Sequence, residues 1–126
     1  MKKEQFIKEP DRDMKVKEIF EWYDGPVLFS CQDKYKNLFL ALYIDETEEN
    51  RIWYYLPLSQ NYYESLQNNR VDLYTAYSNP EWMFLYQVEV SKEQNKKEHK
   101  TIFKVTKIPK KEINIQLLPE KGEYLR

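Results

Sequence analysis

Cys31 and His99 are the only thiol and the only imidazole in the chain. A cysteine nucleophile needs a base within hydrogen-bond reach. Cys31 falls in a stretch that alternates like a strand, His99 lies far along in a Lys/Glu-rich stretch, and neither sits in a nucleophile-elbow pattern. A buried thiol acting as a small hydrophobe is the stronger reading. Phosphate cradles need glycines so that the backbone can wrap the anion. The two glycines, Gly25 and Gly122, stand alone in turns, which excludes Walker-type and dinucleotide-binding sites. Asp45, Glu46, Glu48 and Glu49 offer oxygen ligands to a hard cation, but without the glycine and ligand spacing of a calcium loop they read as a solvated turn. One His and one Cys make no zinc set. Asp24, Asp33, Asp72 and Glu81 lie beside turns or caps, where local backbone hydrogen bonding accounts for them. The expectation is a non-enzyme with no catalytic residue, no metal and no cofactor. The competing enzyme reading, on an unrecognised carboxylate or Cys31 site, requires a concave pocket with converging polar groups.

Binding chemistry is better represented. Aromatics make up 16% of the chain, and Trp53, Tyr54, Tyr55, Tyr62, Tyr63, Tyr74, Tyr77, Trp82, Phe84 and Tyr86 crowd one region. Strand alternation keeps some of them out of the core, and Tyr and Trp are the types that anchor protein interfaces. The expected partner-binding patch joins Trp53 and Tyr55 with Tyr62, Tyr63 and the acidic Glu46, Glu48 and Glu49, a combination suited to a basic protein surface. The size and charge suit an immunity, antitoxin or phage-conflict protein. The alternative is nucleic-acid binding through the Lys-rich 92–111 hairpin, with strand aromatics to stack bases. Against it stand a pI of about 5.9 and an arginine complement of Arg12, Arg51, Arg70 and Arg126 only. Lysines on a hairpin also serve to discourage strand-to-strand aggregation.

The elements that must carry these residues come from a chain of 126 residues, enough for a single domain, with 1–13 a frayed N-terminal segment. Hydrophobic residues at 41% and charged residues at 33% allow both a core and a polar surface. Net charge is -1, but residues 25–90 are acidic and 91–126 are basic. No apolar run approaches the roughly 20 residues of a membrane span, no secretory signal is recognisable, and a lone cysteine fits a reducing cytoplasm.

Met14–Tyr23 fits both periods, with Val16, Ile19, Phe20 and Tyr23 at helical spacing. Asp24-Gly25-Pro26 is a turn. Val27–Gln32, Leu38–Ile44 and Ile52–Leu58 alternate as strands, the second apolar on both faces and therefore central. Ser59 caps a helix through Tyr62, Tyr63 and Leu66 that stops at Asn68-Asn69, and Asp72 caps a second, ending before Pro80. Trp82–Val90, with Trp82, Phe84, Tyr86, Val88 and Val90 facing inward, and Thr101–Ile108 form a hairpin, and Ile113–Leu117 alternates like a short terminal strand. The expected fold is α+β: a strongly bent antiparallel sheet or small open barrel of five to six strands, with two short helices inserted after the third strand.

The runs EWYDGPVLF and YIDET, then SQNYYESLQNNRVDLYTAYSNPE and LLPEKGEYL, resemble in order a family of uncharacterised bacterial domains known only as a domain of unknown function. The resemblance covers Glu21 to Leu125 and implies a bacterial origin and a compact α+β domain. It carries no activity, cofactor or catalytic residue.

Overall fold

A computed structural model describes residues 9–23, 25–92 and 102–126. Six strands form one antiparallel sheet in sequence order: β1 Lys15–Trp22, β2 Pro26–Gln32, β3 Leu38–Glu46, β4 Asn50–Leu58, β5 Phe84–Ser91 and β6 Phe103–Pro109. The sheet does not close, and β1 and β6 are its edges. Two helices, α1 Gln60–Gln67 and α2 Leu73–Ser78, connect β4 to β5. They follow the fourth strand rather than the third, because Met14–Tyr23 supplies an additional strand.

The ambiguity of that segment has a physical cause. Val16 pairs with Cys31, Glu18 with Ser30, Ile19 with Phe29 and Glu21 with Leu28, so Lys17 and Phe20 are each one residue extra. A bulge adds one residue to the strand's period of two. Val16 and Ile19 therefore share a face of the sheet at a spacing of three, which in the sequence imitates a helix.

Both faces of the sheet carry a core. On one, Leu28, Leu38, Leu40, Leu42, Tyr54, Leu56 and Leu85 pack under Tyr63, Leu66, Leu73, Ala76 and Tyr77 of the helices, with Ile113 and Leu125 from the C-terminal segment. Burial of a hydroxyl costs free energy unless it is paired, and here the pairs are made. Tyr77 Oη donates to the Leu40 carbonyl at 2.6 Å, and Tyr63 Oη meets Ser30 Oγ at 2.8 Å. On the other face lie Phe29, Cys31, Phe39, Ala41, Tyr55, Tyr86 and Val88, flanked by Trp53, Phe84, Phe103 and Val105. The lead-in to β1 crosses this aromatic face: Pro10 is buried, Met14 joins the cluster, and the Arg12 guanidinium lies 5.7 Å from the centre of the Phe103 ring on β6. The first eight residues of the segment expected to fray, with Phe6 and Ile7, lie outside the described residues.

Two further expectations need correction. Ile113–Leu117 is not a strand: 3-10 turns at Lys110–Glu112 and Ile115–Leu117 replace it. Asn114 Oδ1 accepts from the Gln116 amide at 3.1 Å, a local bond that competes with a ladder. Trp82 precedes β5, in a turn where the Met83 amide donates to the Pro80 carbonyl at 3.1 Å and Met83 takes φ 69°. In β5 the inward positions lie on both faces, with Leu85 fully buried on the helix side. Among the described residues, no helix is long and apolar enough to cross a membrane.

Candidate interaction surface at the acidic end of the sheet

Antiparallel order puts alternate turns at the same end of the sheet. The ends of β1 and β3 and the end of β5 therefore share one rim, which holds Trp22 and Tyr23, the 47–49 turn, and Lys92. The register relates these ends across the sheet: Glu21 is level with Leu28, Leu28 with Leu42, and Leu42 with Tyr54, so β2 stands between the Trp22 end and the 47–49 turn.

The 47–49 turn is built by its own polar groups. The Thr47 amide donates to the Asn50 carbonyl at 2.8 Å, and the Asn50 amide to Thr47 Oγ1 at 2.9 Å. Asp45 spends one oxygen on the Glu46 amide at 2.8 Å. Glu46 accepts from the Tyr43 hydroxyl and pairs with Lys92 Nζ at 3.3 Å. Those two partners, Tyr43 first, hold its carboxyl below the ordinary Glu range. The Trp53 ring sits 5.3 Å from Tyr43 and 5.3 Å from Phe29, so an aromatic column runs from the core to the acids. Glu48 and Glu49 are exposed, and the Lys92 amide donates to the Glu49 carbonyl at 2.9 Å.

Of the expected patch, this rim gathers Glu46, Glu48, Glu49 and the half-buried Trp53. The rest lies elsewhere. Tyr55 is buried on the aromatic face, where loss of solvent raises its hydroxyl pKa. Tyr63 is buried on the opposite face, and half-buried Tyr62 packs beside it. Alternation along β4 followed by the crossover into α1 separates them, so the seven residues do not form one surface.

The sequence reading missed Trp22 and Tyr23, which are 67% and 81% exposed. The signal was their place at the end of an edge strand, directly before a glycine turn. Gly25 holds φ 130°, a conformation L residues rarely adopt, so the turn requires it.

The other candidates resolve differently. Cys31 is fully buried, and burial, with Asp33 and Asp11 adding to it, pushes its thiol up to about 12. His99 lies outside the described residues, as do Asp24, Lys96, Lys97 and Lys100. Asp33 caps its turn, accepting from the amides of Tyr35 at 2.8 Å and Asn37 at 2.9 Å. Glu81 takes the Ser59 amide at 2.9 Å, and Asp72 takes the Thr75 amide at 2.8 Å. Among the described residues, no three His, Cys, Asp or Glu side chains come together as a metal site. A shallow groove of about 550 Å³ runs between Tyr74 of α2 and the 115–121 segment, lined by Leu118, Pro119, Glu120 and Lys121 without a converging catalytic set.

The class defined by these elements is an α+β fold: a six-stranded antiparallel meander with two short helices packed on one face. The chain belongs to DUF6575, a family of unknown function whose profile matches residues 6–125. No curated protein and no solved structure matches it.

Proposed function

We propose that the protein is a non-enzymatic protein-binding module that receives a partner with a basic surface at the acidic end of its sheet. One observation carries the reading: two highly exposed aromatics, Trp22 and Tyr23, share a rim with Asp45, Glu46, Glu48 and Glu49. Exposed Trp and Tyr supply large contact area at low entropic cost, and surrounding acids steer an oppositely charged surface to them. A chain of this size and charge suits an inhibitor or immunity protein acting in the cytoplasm.

The test begins with a pull-down from the source cells, followed by purification of the protein captured. Trp22→Ala/Tyr23→Ala should weaken that complex by roughly tenfold or more while circular dichroism stays unchanged. Glu48→Lys/Glu49→Lys should slow association and flatten its salt dependence. Wild-type affinity in both variants would refute the assignment of this rim.

A further inference from the structure

The two edges of the sheet are built differently, and the difference points to a second surface. β1 is interrupted by extra residues at Lys17 and Phe20, which twist an edge away from further pairing. β6 pairs with β5 through seven consecutive positions, Phe84↔Pro109 to Val90↔Phe103, without a register shift. Among the described residues, no strand pairs with the outer side of β6. A regular, unpaired edge is a template for another strand.

What β6 accepts is set by its charge. Lys104 and Lys107 are exposed and lie on opposite faces of the sheet, Lys104 across from Glu89 and Lys107 across from Tyr86 with its ammonium over the Phe84 ring. Exposed Lys110 and Lys111 continue the positive run past Pro109. A second copy of β6 would bring another Lys104 and Lys107 to this edge, and like charges that come to lie opposite across a ladder destabilise it. An extended acidic segment meets a lysine on either face.

We infer that β6 is a β-augmentation site for an extended, acidic segment of a protein partner, with backbone hydrogen bonds giving affinity and Lys104, Lys107, Lys110 and Lys111 selecting its charge. This surface is separate from the acidic rim and stands or falls without it.

The test uses the full chain, labelled for NMR, and a short capped peptide alternating Glu and Val. The peptide should slow amide exchange along residues 103–108 and shift their resonances. A Lys/Val peptide should bind roughly tenfold or more weakly, and Lys104→Glu/Lys107→Glu should weaken the Glu/Val peptide to a similar degree. If that variant does not fold, Lys104→Gln/Lys107→Gln takes its place. Equal binding of the two peptides overturns the proposal, as does a Glu/Val peptide interrupted by proline that binds as well as the regular one. Stronger perturbation of the same residues by oligothymidylate also overturns it, and assigns the lysines to nucleic acid.

Discussion

Ala41 is the smallest side chain on the aromatic face, and its register explains how rings on non-adjacent strands meet. It pairs with Phe29 on β2 and with Tyr55 on β4. Because only a methyl group stands between them, the Phe29 ring comes within 5.3 Å of Trp53 and 6.3 Å of Tyr55, both edge-on. Such pairs add about 0.5–1.5 kcal/mol beyond area burial. Ala41→Leu should therefore destabilise the protein, by about 1–3 kcal/mol for overpacking a filled core. A urea titration reads this as a lower midpoint at unchanged slope, and an unchanged midpoint would show that the gap above Ala41 tolerates a larger group.

The caps decide how the helices are held, and one of them should respond to pH. Ser59 Oγ accepts from the Tyr62 amide at 3.1 Å and donates to Glu81 at 2.8 Å, tying the start of α1 to the approach of β5. Asp72 accepts from the Thr75 amide at the start of α2 and, with its other oxygen, from the Gly122 amide at 2.8 Å. The Thr75 hydroxyl, then the Gly122 and Thr75 amides, hold its carboxyl below the ordinary Asp range. A carboxyl whose folded pKa is depressed binds its proton better in the unfolded chain. Its contribution is present above the ordinary Asp range and disappears as pH falls from there through the folded value. Asp72→Asn keeps a good cap but cannot titrate. The stability difference between the two proteins should shrink on acidification, and a constant difference would count against this role for Asp72.

These caps were legible because a cap is a local pattern of side-chain oxygen and following amides, and β2, β3 and β4 were legible because they alternate without interruption over most of their length. What escaped were features set by partners distant in sequence. The bulges at Lys17 and Phe20 exist only relative to β2. Ile113 alternates with Ile115 and Leu117, yet Ile113 is buried while Ile115 and Leu117 are exposed, because the Asn114 amide is drawn to Tyr54 Oη at 3.2 Å. The candidate surface was half legible: its acids stand out in the sequence, but an exposed Trp22 and a buried Tyr55 look alike when both sit in alternating aromatic runs.

At the scale of the whole molecule, every strand pairing among the described residues joins neighbours in sequence. A side-chain tie of longer range runs from the C-terminus. The last residues return to the connection between α1 and α2 and to β1, where Asn69 Oδ1 and Nδ2 bond the Arg126 backbone, Arg126 bonds Glu18 at 2.7 Å, and Leu125 is buried. The exposed Trp22 and Tyr23 lie at the β1 edge of this sheet, and the lysines of β6 at the opposite edge.

That meander order has a consequence in time. Apart from β4 and β5, which the helices connect, neighbouring strands meet by closing short loops, which costs little chain entropy, whereas the contact between Glu18 and Arg126 closes nearly the whole chain. The hairpins should therefore assemble first, on the ribosome as much as in the test tube, and the C-terminal strap should dock last. The prediction is kinetic: Leu42→Val in β3 should slow refolding, while Arg126→Ala should leave refolding unchanged and speed unfolding. Stopped-flow measurements that found refolding slowed by the strap substitution would place the strap in the nucleus instead.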